Sequence, residues 1–390
     1  MSRLGGALLE AGVVHCLNAV AALGETLDFG SETAHARDIN RPFDIITCIL
    51  ERSAHIGAAC VIDGAHGLFR QRLEPCDFCC VAHQENPLTT DAILIAGTTA
   101  SGKSRAALEL AERVGGVIIN TDSMQVYREP RILTARPSDA DMATVPHLLY
   151  GHVPAREAYS TGRFQSDAGH ALAEVRKTRR IPIFVGGTGL YFTALTEGLS
   201  EMPVVPLGVR EAARAHLERI GNEAFHAALA LRDPEIAAQL NPGDSQRMLR
   251  AFEVFEASGK PLSFWQKNAG KAVLDGLRLA RFVLDVPRPM LRERIEARFH
   301  AMFEGGAMEE ALALENLDPE LPAAKIIGRR ELLALHDGAI EKERAIERAV
   351  IATRQYAKRQ DTWFRNQLNG WIRLDATDGR NIVTEMLSSA

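Results

Sequence analysis

Apolar residues change their spacing several times along this chain, and each change predicts an element. Ala92-Ile93-Leu94-Ile95-Ala96 is an unbroken apolar run of strand length, suited to a strand buried on both faces. A glycine-rich turn follows, and Arg105 to Val114 then takes helical spacing. Gly116-Val117-Ile118-Ile119-Asn120 predicts the next strand, with others at Ile181 to Val185 and Phe282 to Leu284, each beside helical stretches. Such alternation predicts an α/β fold, a parallel sheet flanked by helices.

Elsewhere the pattern is helical or weak. Through Arg210 to Leu231, Pro234 to Leu240 and Gln246 to Ser258 the spacing is helical with no strand between, which predicts an inserted helical unit at 203–275. The core is then expected in two parts, 89–202 and 276–390. The second part carries a C-cap at Gly305-Gly306 and a long helix over Glu341 to Asn366. Residues 1–88 show little periodicity and end on the turn-rich Glu85-Asn86-Pro87-Leu88, which predicts a poorly ordered extension outside the catalytic core. All six cysteines fall in this extension, the last being Cys80. Cys76 and Cys79 have CxxC spacing, but no second pair or histidine follows at metal-ligand distance, so reduced thiols are expected.

The 390 residues are 46% hydrophobic and 24% charged, ordinary globular composition that excludes a disordered or fibrous chain. A net charge of −5 excludes a uniformly basic coat, so any RNA contact must be a local basic surface. No apolar run is long enough to span a membrane and the first residues do not form a secretory signal. A cytoplasmic, monomeric protein is expected.

The sharpest chemical signal is Gly97-Thr98-Thr99-Ala100-Ser101-Gly102-Lys103-Ser104, which fits the phosphate-gripping G-x-x-x-x-G-K-[ST] between a predicted strand and a predicted helix. The glycines let successive N–H groups curl toward an anion, Lys103 adds a point charge, and the Ser104 hydroxyl can hold Mg²⁺. The motif does not distinguish ATP from an alkyl diphosphate. Asp122 follows the second strand, at the carboxyl edge where parallel sheets bind ligands. It can serve as general base, as a magnesium ligand through water, or simply as a helix N-cap. Val185-Gly186-Gly187-Thr188-Gly189 also follows a strand, and would bring backbone and the Thr188 hydroxyl close to a ligand or form a plain turn. Arg294 and Arg298 share a helical face, as do Arg354, Lys358 and Arg365. Each set suits phosphate contacts or a solvated charged surface.

In order and spacing, Gly97–Ser104, Asp122-Ser123-Met124-Gln125-Val126-Tyr127, Val185 to Leu195, Asp244 to Arg250, and Thr353 to Gln360 followed by Thr362-Trp363-Phe364-Arg365 resemble the tRNA dimethylallyltransferase family. The likeness runs from about residue 91 to 373. It implies a P-loop NTPase-like sheet and transfer of a dimethylallyl group from dimethylallyl diphosphate to N6 of adenosine 37, in tRNAs reading codons that begin with U. It further implies Asp122 as base, Thr188 as an orienting group and no need for ATP hydrolysis; Arg294 and Arg298, from their shared helical face, would add charge at the diphosphate or the RNA backbone. Contacts to the anticodon stem-loop are implied for Asp122, Ser123, Met124, Gln125, Thr188, Arg210, Gln246, Arg247, Met248, Leu249, Arg250, Arg329, Arg330, Arg354, Lys358 and Arg365. Two stretches depart from the family pattern. Gly328-Arg329-Arg330 stands where an apolar or aromatic residue usually follows the glycine, and Leu133-Thr134-Ala135-Arg136 replaces Gly-Thr-Ala-Lys.

Two other enzymes share parts of this pattern. An adenylate isopentenyltransferase would alkylate free nucleotides, and a small-molecule kinase would move a phosphoryl group from ATP. The inserted helices and the basic C-terminal helix favour tRNA over the first, and the sequence shows no arginine-rich lid for the second.

Overall fold

The computed structural model describes residues 89–267, 270–377 and 382–390, all within one compact unit, Leu88–Ala390. The expectations for the extension and for Cys76 and Cys79 lie outside the described residues.

Six parallel strands form one sheet in the order β3-β2-β4-β1-β5-β6: β1 Ala92–Gly97, β2 Val117–Asn120, β3 His147–Leu148, β4 Pro182–Gly186, β5 Leu279–Asp285 and β6 Ile372–Asp375. Successive residues of a strand face opposite sides, and the core divides accordingly. Ala92, Leu94 and Ala96 of β1 join one apolar cluster with Ile119, Phe184 and Val283, while Ile93 and Ile95 join another with Ile118, Ile183 and Phe282. Every β1 residue is buried, as a central strand covered on both faces must be.

Helices cover the two faces. The second cluster packs on α1 Lys103–Val114 through Ala106, Ala107, Leu110 and Ala111. The first packs on α3 Thr161–Lys177 and α4 Gly189–Thr196, where the Phe164 ring stacks on Tyr191 at 3.7 Å between centroids. Between β2 and β3 lies a short helix, α2 Asp139–Thr144, closed by a capping box from Ser138 and Asp141.

The stretch between β4 and β5 is helical, as its spacing predicts. It holds α5 Leu207–Ala230, α6 Pro234–Ala237, α7 Ser245–Ser258 and α8 Leu262–Gln266, which enclose a cluster built on Leu217, Phe225, Leu229, Met248 and Phe252. Gly221 kinks α5 at φ 76°. Asp233, fully buried, accepts from Ile236 N–H and Ser263 N–H at 3.1 and 2.9 Å, tying α6 to α8.

After β5 come α9 Arg288–Glu304, α10 Ala307–Ala313, a 3₁₀ turn Pro322–Lys325, α11 Arg329–His336 and α12 Lys342–Gln367. After β6, α13 Ile382–Ser389 closes the chain against α1. The helix expected over Glu341 to Asn366 is α12, and the expected cap at Gly305 ends α9. Strands β3 and β6 were not foreseen. The first has two residues, and in Ile-Arg-Leu-Asp of the second only Leu374 is buried, so neither makes an apolar run.

Candidate active site

β1 lies between β4 and β5, and its chain runs on into the glycine-rich loop at the carboxyl edge of the sheet. The loop curls because two residues take left-handed backbone, Ala100 at φ 63° and Gly102 at φ 91°. A side chain in that conformation, as at Ala100, costs about 1–2 kcal/mol, which glycine at position 102 avoids. Lys103 Nζ donates to Thr98 O at 3.3 Å. Burial pushes the Lys103 pKa down to about 8, with Asp122 opposing and Arg298 adding to the fall.

The second strand delivers the carboxylate. Asn120 Oδ1 accepts from Asp122 N–H at 2.8 Å, and Asn120 Nδ2 donates to the Asp122 and Leu149 carbonyls, each at 3.0 Å. Asp122 Oδ1 accepts from Met124 N–H at 2.9 Å within a turn; no helix follows before Asp139, so the helix N-cap reading does not hold. Thr188 Oγ1 accepts from Ser123 N–H at 2.9 Å and donates to Ser123 Oγ at 3.2 Å. The β4 turn can approach this closely because Gly186 lacks a side chain, whose first carbon would come 2.1 Å from the Thr121 carbonyl.

Lys103, Asp122 and Ser123 meet in a cavity of about 300 Å³, whose lining does not include Thr188. Thr99, Lys103, Ser104 and Arg298 line the part beside the glycine-rich loop, Asp122, Ser123, Met124 and Gln125 another side, and Leu133, Ile295, Phe299, Met302 and Ile326 supply an apolar wall. Arg298 donates to Thr99 Oγ1 at 3.3 Å, and burial holds its guanidinium below the ordinary arginine value despite Asp122. Tyr356, Arg359, Thr353 and Lys325 complete the lining. Burial, then the nearby Asp122, raise the Tyr356 pKa, so the phenol keeps its proton; its hydroxyl lies beside Thr188 and Gln360. A larger hollow of about 920 Å³ lies between α9, α12 and the ends of β5 and β6. It contains neither Lys103 nor Asp122, both of which line the smaller cavity.

Comparison with known proteins places this geometry. A family model described as IPP transferase matches residues 125–367, and one described as isopentenyl transferase matches residues 90–151. A tRNA dimethylallyltransferase of Sinorhizobium medicae is 50% identical over 291 residues, 74% of this chain and 95% of that protein. The chain belongs to the IPP transferase family. A second relative in the family, the tRNA dimethylallyltransferase of Mesorhizobium japonicum, is 52% identical over 300 residues, 76% of this chain and 93% of its own length. The full-length tRNA isopentenylpyrophosphate transferase of Bacillus halodurans superposes with a TM-score of 0.55 at 31% identity, over 77% of this chain and 95% of that one. A eukaryotic dimethylallyltransferase acting on tRNA gives 0.61 at 30% identity, over 74% and 75%.

The transferase fold sorts the expected contact residues. Arg210, Gln246, Arg247 and Arg330 are exposed, as are Lys358 and Arg365, while Leu249, Arg250 and Arg354 are half-buried. Gln125 is nearly buried and spends its side-chain N–H groups on Thr134 O and Ala135 O. Three expectations need correction. Met248 has no exposed surface and sits in the inserted helices' own core, so it cannot touch RNA. Arg329 is not a free cation at the surface: its guanidinium donates to the carbonyls of Leu314, Glu315 and Ala324 at 2.8 to 3.2 Å. Arg294 does not enter the cavity beside Arg298. It reaches instead behind the phosphate loop, to Ser101 O at 3.5 Å and Ala376 O at 3.2 Å.

The Leu133 departure is accommodated without strain. In that loop the positive φ falls on Ala135, at 48°, so position 133 does not require glycine. Glu310 fixes the loop by accepting from the N–H groups of Arg131, Ile132 and Leu133 at 2.9, 2.6 and 3.0 Å, leaving the Leu133 side chain as cavity wall. Sequence reasoning assigned no role to Tyr356, Arg359, Lys325 or Gln360, because helical spacing does not reveal which turn of α12 faces the carboxyl edge of the sheet.

Proposed function

We propose that this transferase moves a dimethylallyl group from dimethylallyl diphosphate to N6 of adenosine 37 in tRNAs that read codons beginning with U, releasing diphosphate. The observation that carries the reading is one cavity holding a phosphate loop, a strand-end carboxylate and an apolar wall. The bond from C1 of the allyl group to the diphosphate oxygen breaks as the C1–N6 bond forms. An exocyclic adenine amine is a weak nucleophile, and Asp122 accepts its proton as the new bond develops. The loop amides, Lys103 and Arg298 face the charge that gathers on the departing diphosphate. Thr188 holds the Ser123 backbone beside Asp122, and Leu133, Phe299 and Met302 form a dry wall for the five-carbon group.

The donor set fits Mg²⁺. Ser104 presents a hydroxyl and Asp122 a carboxylate to one cavity. Such a sparse all-oxygen set matches an ion that keeps waters and takes its other ligands from phosphates. When bound, it would neutralise part of the diphosphate charge.

The target adenine must leave the anticodon-loop stack to reach Asp122, with Met124 and Gln125 at the entrance. Arg210, Gln246, Arg247 and Arg250 on the inserted helices, with Arg354, Lys358 and Arg365 on α12, would hold the stem-loop backbone. Among the described residues no helix is long and apolar enough to cross a membrane.

The test is incubation with labelled dimethylallyl diphosphate and either anticodon stem-loop RNA or free adenine nucleotides. Label should enter the RNA at adenosine 37 with release of diphosphate. Labelling of free nucleotides alone, or turnover that consumes ATP, would overturn the reading.

A further inference from the structure

Gln360 lies one turn along α12 from Tyr356 and is 5% exposed, so its side chain does not reach an incoming RNA. Two backbone partners fix its amide. Oε1 accepts from Thr99 N–H at 2.8 Å, and Nε2 donates to Gly187 O at 2.8 Å. The amide can point only one way, because an N–H donates and a carbonyl accepts. The fit is close: a side-chain carbon added to Gly187 would come 2.2 Å from Gln360 Nε2.

Its partners belong to the two halves of the reaction site. Thr99 is in the phosphate loop. Gly187 precedes Thr188, whose Oγ1 accepts from Ser123 N–H at 2.9 Å and whose N–H donates to Thr121 O at 3.2 Å. Ser123 directly follows Asp122. A connected path therefore runs from the phosphate loop through Gln360 to the β4 turn, to Thr188, and on to the carboxylate segment. The pairing of β1 with β4 ends at Ala96 and Gly186, short of both Thr99 and Gly187, so the ladder does not set the spacing of the loops beyond it.

We propose that Gln360 is a positioning residue for the transfer step: it holds the phosphate loop in register with the Thr188–Asp122 pair, so that leaving group and attacking amine stay aligned across the cavity. This rests on the transfer reading above. By taking Thr99 N–H it also leaves the anion cradle to the amides from Ala100 to Ser104. A misplacement of reacting groups by about 1 Å can cost on the order of a hundredfold in rate, whereas each substrate alone would still find its own half of the site intact.

Two variants test this, Gln360→Met and Gln360→Glu. The first removes both bonds at similar volume; the second can still accept from Thr99 N–H but, ionised, cannot donate to Gly187 O. With both substrates saturating, kcat should fall roughly 10- to 100-fold in each. For Gln360→Met, directly measured Kd values for dimethylallyl diphosphate and stem-loop RNA should stay within about threefold of the parent, the pattern of an interaction felt only in the transition state. A parent-like kcat in Gln360→Glu, or a Gln360→Met loss confined to Kd, overturns the proposal. If Gln360→Met does not fold, Gln360→Glu alone decides. A parent enzyme that fails to label RNA would instead remove the transfer reading.

Discussion

Lys103 is held where burial works against its charge, and that sets a pH dependence. With its pKa lowered to about 8, the ammonium is present below that pH and is lost as pH rises through it. In the proposed reaction the cation meets the diphosphate, so the Kd for dimethylallyl diphosphate should hold steady below about pH 8 and rise above it, by up to about tenfold per unit. A flat profile from pH 7 to 9.5 would show that Lys103 does not meet the diphosphate. Folding stability has the opposite slope: between about 8 and the ordinary 10.5 the unfolded chain carries the extra proton, so stability gains with rising pH there. Asp122→Asn removes the proton acceptor while keeping the oxygen that Met124 N–H binds. It should slow turnover at least ~100-fold with stem-loop affinity retained. Weak RNA binding with normal turnover at saturation would make Asp122 a binding group.

At the scale of elements, α7 separates two roles along one helix. Met248 turns into the apolar cluster while Gln246 and Arg247 face out. Arg247→Ala should weaken all substrate tRNAs alike and lower the slope of log affinity against log salt by about one; an unchanged slope would place Arg247 off the RNA. Arg329→Ala should behave differently. Stripping the last carbonyls beyond α10 of their donor should cost on the order of 1–3 kcal/mol of stability, read as a lower denaturation midpoint, without changing RNA affinity. Much of this architecture was legible in the chain. β1, β2 and β4 announce themselves because strands buried on both faces must be apolar throughout, and the phosphate loop shows because its backbone needs glycine and its anion needs Lys103. What stayed hidden depends on facing. Gln360 looks like one more polar residue of a charged helix until the ends of β1 and β4 are set against it. Arg329 and Arg294 read as free cations because carbonyls brought in by distant segments leave no mark nearby in the chain. β6 holds only two apolar residues, Ile372 and Leu374, too few to make a run.

At the scale of the whole molecule, the relatives at about 50% identity match 291 to 300 residues of this chain and nearly all of themselves, and every site group lies in Leu88–Ala390. A protein of residues 88–390 should therefore fold and turn over at the parent rate; loss of folding on removing residues 1–87 would show that the catalytic unit needs them. The pairing of β1 with β5 has a different consequence, for synthesis. Ala92 is in register with Leu279, so β1 waits for a partner that the ribosome supplies only after the whole inserted helical unit. Throughout that interval β1 has at most β4 on one side, and its other edge is an apolar strand open to any neighbouring nascent chain, the situation in which incomplete α/β proteins aggregate. The inserted helices enclose an apolar cluster of their own and can form while β1 waits. A chain stopped at residue 275 should therefore contain helix yet be recovered largely insoluble, and one extended through β5 should regain solubility.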